Sequence, residues 1–162
     1  MSQPIIYNKF KSGNYDQRKF DISLIIIHFT ETKTFNEALN LLTSLERKVS
    51  SHYLIDKSGD IFNLVDLDKR AWHAGESMWG NYNDINSRSI GIEIVNSGEV
   101  IKEDYTAKQI NSLSVLLNSL LKDYNIENIL GHSDIAPTRK IDPGVHFPWQ
   151  KIYQNLGLEW VK

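Results

Sequence analysis

Apolar residues along this chain change period several times, and each change marks an element. Leu24-Ile25-Ile26-Ile27 is an unbroken run rich in β-branched side chains, the pattern of a central strand buried on both faces. His28 follows directly at its end. Thr34-Phe35-Asn36-Glu37 has the S/T-x-x-E form of a capping box, and Ala38, Leu39, Leu42, Leu45 and Val49 then recur at three- and four-residue steps. That spacing predicts a helix from about Asn36 to Lys48. His52–Asp56 and Ile61–Val65 flank Lys57-Ser58-Gly59-Asp60 and read as a β-hairpin. Ser89–Val95 alternates, with Ile90, Ile92 and Ile94 on one face and Gly91, Glu93 and Val95 on the other. A second capping box at Thr106-Ala107-Lys108-Gln109 opens a helix with the stripe Ile110, Leu113, Leu116, Leu117, Leu120 and Leu121, reaching about Asp123. Ile126–Leu130 reads as a short strand, and Pro148-Trp149-Gln150 starts a short final helix.

Between these elements the pattern lapses. The first twenty or so residues are polar with scattered aromatics, and Arg70 to Ser87 carries Trp72, Trp79, Gly75 and Gly80 without a period, as a long functional loop does. Neither repeats nor a linker divide the chain. Strands alternate with helices around one inserted hairpin, which predicts an α/β fold: a single domain over 1–162, with a mixed β-sheet flanked by helices on its faces. An irregular N-terminal arm occupies 1–22 and the core runs from about 23 to 155.

Composition narrows the partners. A net charge of -2 gives no electrostatic reason to expect nucleic acid or an anionic membrane surface. Cysteine is absent, so thiolate nucleophiles, disulfides and cysteine-bound zinc are excluded, and any metal site must use His, Asp or Glu. The N-terminal segment lacks the apolar stretch of a signal peptide, and no apolar run is long enough to span a bilayer. The expectation is a cytoplasmic monomer, or a periplasmic or envelope-associated one if a leader peptide has been removed.

Candidate chemistry lies at the strand ends. His28 and His132 each come immediately, or one glycine, after an apolar strand, so parallel strands would project both from the same sheet edge, where open α/β sheets place their ligands. Glu93 lies mid-strand in a segment whose other side chains are almost all apolar or absent, and a partly desolvated carboxylate there gains the proton affinity that general acid–base work needs. The stretch GHSDIAPTRKIDPG (131–144) adds Asp134, Lys140 and Asp142, which can approach one point if the loop folds back. A catalytic zinc takes three protein ligands from His and Asp or Glu and leaves one position open for water, whose proton it makes labile near neutral pH. His28, His132 and one aspartate meet that requirement. A carboxylate such as Glu93 would take the proton, and a cation such as Lys140 would stabilise the developing oxyanion. Spacing does not choose between Asp134 and Asp142.

The segments IIIHFT (25–30), SSHYLID (50–56), WHAG (72–75), SIGIEIVN (89–96) and GHSDIAPTRKIDPG together resemble the zinc-dependent N-acetylmuramoyl-L-alanine amidases of the AmpD type, the amidase-2 family related to peptidoglycan recognition proteins. The motifs stand in family order and cover roughly Ile25 to Trp149. The resemblance implies one zinc per chain with His28, His132 and Asp142 as ligands, Glu93 as the acid that activates water, and Lys140 as the group stabilising the tetrahedral intermediate. It places His73, Ala74, Gly75 and Asn96 at cleft positions that meet substrate, and leaves Asp134 a supporting role. The implied reaction is hydrolysis of the amide between N-acetylmuramic acid and L-alanine, in peptidoglycan or its (anhydro-)muropeptide fragments, during cell-wall recycling or remodelling. The alternative is a non-catalytic peptidoglycan-binding module. Arg70 and Arg88 are candidates for reading stem-peptide carboxylates, and His146 is an extra titratable residue near the site.

Overall fold

The computed structural model describes residues 3–159. The strands are β1 (Ile6–Tyr7), β2 (Tyr15–Gln17), β3 (Leu24–Phe29), β4 (Tyr53–Ile55), β5 (Ile61–Asn63), β6 (Lys69–Ala71), β7 (Ser89–Ile94) and β8 (Asn128–Gly131). The helices are α1 (Phe35–Thr43), α2 (Ile85–Arg88), α3 (Ala107–Asp123), α4 (His132–Ile135) and α5 (Trp149–Leu156). A six-stranded sheet has the order β1-β5-β4-β7-β3-β8, and β2 pairs with β6 in a separate ribbon. The β4–β5 hairpin is antiparallel and the other pairings of the large sheet are parallel, so the sheet is mixed. This is the α/β architecture that the alternating pattern predicts.

The alternation along each strand decides what covers each face. Ile25 and Ile27 of β3, with Ile90, Ile92 and Ile94 of β7, pack against the stripe of α3 and Ile152 of α5. The residues between them face the other way: Leu24 and Ile26 meet Ala74, Ile85 and Ile135, while Leu54 and Val95 meet Ala38 and Leu42 of α1. Leu24 to Ile27 have no exposed surface, as the unbroken apolar run requires of a strand covered twice. Each large aliphatic side chain so buried contributes about 1.5–3 kcal/mol relative to exposure. Among the described residues no helix is long and apolar enough to cross a membrane.

Three sequence-based expectations are corrected. The helix expected to reach Lys48 stops at Thr43, because the arm captures its last carbonyls: Ser12 Oγ donates to Leu42 O at 2.6 Å and Asn14 Nδ2 to Ser44 O at 2.8 Å. The arm itself is not wholly irregular, since β1 pairs with β5 and β2 with β6. The long loop likewise begins in β6 and ends in α2, elements too short for a period to show.

Candidate active site

The register of the parallel strands assembles the first part of the site. His28 stands opposite Glu93 across β3 and β7, both on the face turned away from α3. Ile27 stands opposite Gly131 across β3 and β8, so the residues that follow, His28 in β3 and His132 at the start of α4, emerge side by side. The edge that the matching sequence contexts predict is therefore real.

Asp142 joins them because the chain after β8 folds back. Asp134 accepts a 2.7 Å hydrogen bond from the Gly131 N–H, closing the turn of α4, and the Ser133 N–H donates to Asp142 O at 2.9 Å. A Cβ on Gly131 would lie 2.6 Å from Pro143 Cδ, so only glycine lets the returning segment pack on the strand end. The Asp142 Oδ2 then lies 2.9 Å from His28 Nδ1 and 3.2 Å from His132 Nδ1, and the two nitrogens are 3.0 Å apart. These atoms form a group able to hold a metal ion, and all three residues are buried. The arrangement fits zinc. Bonds of about 2.0–2.1 Å to tetrahedrally placed ligands put the donor atoms roughly 3.3 Å apart, and two His nitrogens with one carboxylate leave one coordination position open. Burial alone would raise the Asp142 carboxyl, but its close polar contacts with the His132 and His28 imidazoles outweigh it and hold the group well below the usual carboxylate range. Burial pushes His28 down, against the opposing pull of Asp142. Both ligating types are thus kept in the deprotonated form that a metal needs.

Glu93 is the buried polar outlier. Its Oε2 has no hydrogen-bond partner, alone among buried side-chain oxygens and nitrogens of the described residues. Burial, and then the negative charge of Asp142, push its carboxyl well above the ordinary value, with Lys140 opposing. Glu93, Lys140, His28, His132 and Asp142 line one cavity of about 310 Å³. Thr30, Glu31, Leu41, Arg47 and Trp72 line the same cavity.

The other candidate residues have defined protein partners. His73 touches the cavity, but its Nδ1 faces His28 Nε2 and its Nε2 faces Ser89 Oγ, at 3.0 and 3.1 Å. Ala74 is fully buried and turns its carbonyl to His132 and Arg139. Gly75 has φ 60° and lies against the Arg139 guanidinium. Asn96 spends its amide on Glu103 O and the Gly98 N–H, pinning the loop after β7. His73 and Asn96 thus direct side-chain polar atoms, and Ala74 its carbonyl, to protein partners. His52 packs beneath the site: its Nδ1 accepts from the Gly91 N–H at 3.0 Å and its Nε2 faces Lys69 O at 3.0 Å. Arg70 is taken by Asp84 and Asp16, and Arg88 stacks on Phe20 and Tyr82. Arg47, which no sequence pattern singled out, has no side-chain hydrogen bond or ion pair among the described residues and lines the cavity. Its place depends on where α1 ends, which the periodicity misjudged. His146 pairs with Asp104 at 3.4 Å on the surface, outside the cavity wall.

Comparison with known proteins is consistent with this geometry. Residues 17–145 match the family described as N-acetylmuramoyl-L-alanine amidase. The chain is 37% identical over 149 residues to N-acetylmuramoyl-L-alanine amidase AmiD of Escherichia coli, an alignment covering 83% of this chain and 53% of AmiD, so the chain spans about half of that relative's length. It is 33% identical to 1,6-anhydro-N-acetylmuramyl-L-alanine amidase AmpD of Haemophilus influenzae, covering 91% of each. The structure superposes with a TM-score of 0.78, at 36% identity, on E. coli AmiD solved in complex with anhydro-N-acetylmuramic acid-L-Ala-D-γ-Glu-L-Lys, covering 86% of this chain and 58% of that one.

Proposed function

We propose that this chain, which belongs to the N-acetylmuramoyl-L-alanine amidase family, hydrolyses the amide between N-acetylmuramic acid and the L-alanine of a stem peptide. One observation carries the reading: two imidazole nitrogens and a carboxylate oxygen converge within 3.2 Å, beside a buried carboxylate whose Oε2 has no partner. His28, His132 and Asp142 would hold one zinc ion per chain. Zinc bound there supplies a Lewis acid and makes water acidic near neutral pH.

The remaining steps belong to the chain's own side chains. Glu93, held above the ordinary carboxylate range, takes a proton from the attacking water and passes it to the departing L-alanine nitrogen. A raised proton affinity suits both transfers, because the group must be ionised before the first and protonated before the second. Lys140, on the same cavity wall, donates to the carbonyl oxygen as negative charge develops there. The substrate enters as peptidoglycan or its anhydro-muropeptide fragments, the ligand class held by AmiD, with the stem peptide directed along the wall of Leu41, Arg47 and Trp72.

The test is to incubate zinc-loaded protein with anhydro-muropeptides and with intact sacculi, and to identify the products by mass. Free stem peptides beginning with L-alanine are expected. Activity on sacculi as well as on fragments assigns the enzyme to wall remodelling, and activity on fragments alone to recycling. Release from neither substrate would refute the proposal.

A further inference from the structure

The tautomers of both candidate ligand histidines follow from partners that can be satisfied in one way only. Ala74 O is purely an acceptor and lies 2.9 Å from His132 Nε2, so that nitrogen carries the proton and His132 Nδ1 keeps its lone pair. For His28 the assignment passes through two further groups. The Ser89 hydroxyl donates to Ile85 O at 2.6 Å, which leaves its oxygen to accept from His73 Nε2–H at 3.1 Å. His73 Nδ1 is then a bare acceptor 3.0 Å from His28 Nε2, so the His28 proton sits on Nε2 and its Nδ1 lone pair also faces inward.

The protein is built to seat this relay. A Cβ at Gly91 would lie 2.4 Å from His73 Cγ, so the ring occupies the space that any other residue on β7 would fill. The backbone carrying the two acceptors is fixed from behind: Asn86 Oδ1 accepts both the His73 N–H, at 3.0 Å, and the Ala74 N–H, at 2.8 Å. Two consecutive residues thus take the outer protons of both histidines, one through a side chain and the other through a carbonyl.

From this arrangement we infer that His73 is a positioning residue for the metal, pairing with the Ala74 carbonyl to select Nδ1 as the coordinating atom of both His28 and His132. The inference rests on the proposed zinc site. Partners of this kind typically change metal affinity by about 10- to 100-fold when removed. A purely structural role for His73 predicts lost stability without a change in how His28 binds.

The experiment measures zinc affinity by competition with a chelator, and the ring nitrogens of His28 by ¹⁵N NMR, in the wild-type chain, His73→Leu and His73→Asn. Leucine removes the acceptor, whereas the asparagine amide oxygen can restore one near the position of Nδ1. Affinity should fall about 10- to 100-fold in His73→Leu and recover largely in His73→Asn. In the wild-type chain the spectra should show His28 protonated on Nε2 and metallated through Nδ1, a readout that does not depend on either variant folding. Coordination through Nε2, or wild-type affinity in a folded His73→Leu, overturns the inference alone. A wild-type chain that binds no zinc removes the metal reading and this inference with it.

Discussion

Glu93 occupies a strand position whose neighbours on either side, Ile92 and Ile94, are fully buried, and its unpartnered oxygen is costly there. The same burial that makes the residue expensive keeps its proton affinity high enough to exchange protons with water and amine. Replacing it by glutamine retains shape and removes the transferable proton. Glu93→Gln should lower kcat by about 10²–10⁴-fold while bound zinc, measured by metal analysis, stays at the wild-type level; unaltered turnover would remove Glu93 from the mechanism. Arg47 invites a different substitution, because its guanidinium has no partner among the described residues and it lines the same cavity. Arg47→Ala should raise KM about tenfold for a stem peptide with free carboxylates, with kcat little changed. Amidation of those carboxylates should abolish the difference, and an equal effect on both peptides would assign Arg47 to packing alone.

At the scale of elements, His52 shows how the sheet supports the site from beneath. Its ring bridges the Gly91 N–H of β7 and the Lys69 carbonyl of β6, and burial, followed by the adjacent Arg18 charge, lowers its pKa from 6.5 to about 3. Above 6.5 the ring is neutral in both folded and unfolded chains, and its contribution is fully present. As the pH falls from 6.5 towards 3 the unfolded chain binds a proton that the folded one refuses. Stability should therefore drop by about 1.4 kcal/mol per pH unit across that window. Urea unfolding at several pH values should show a shallower acid loss in His52→Gln than in wild type, and parallel losses would clear His52 of the effect. The same scale explains what was legible in the sequence. β3, β7 and α3 declare themselves because each buries a regular face, and His28, His132 and Glu93 stand out as polar residues at the ends or middle of such runs. The end of α1 is hidden because Ser12 and Asn14 supply its terminal contacts from more than twenty residues away in the chain. The choice of Asp142 over Asp134 depends on how Pro143 packs against Gly131, a contact that residue spacing does not encode; only the family resemblance pointed to it.

For the molecule as a whole, the site ties distant parts of the chain together. His28 is separated from His132 by 104 residues and from Asp142 by 114, so three groups on β3, on the turn after β8 and on the returning loop meet only in the folded state. Two imidazole lone pairs and a carboxylate held 2.9–3.2 Å apart repel one another unless a cation lies among them. A metal bound only by the folded chain stabilises it by mass action, by about 2.7 kcal/mol when free metal is one hundred times its Kd. For a chain of this size that corresponds to roughly 5–10 °C in Tm. Scanning calorimetry should therefore show Tm falling by that amount after chelation and returning when zinc is restored. Asp142→Ala removes the anionic ligand and leaves the two histidines, so its Tm should respond weakly to zinc. A full response in that variant would show that the ion stabilises the fold from somewhere other than this group.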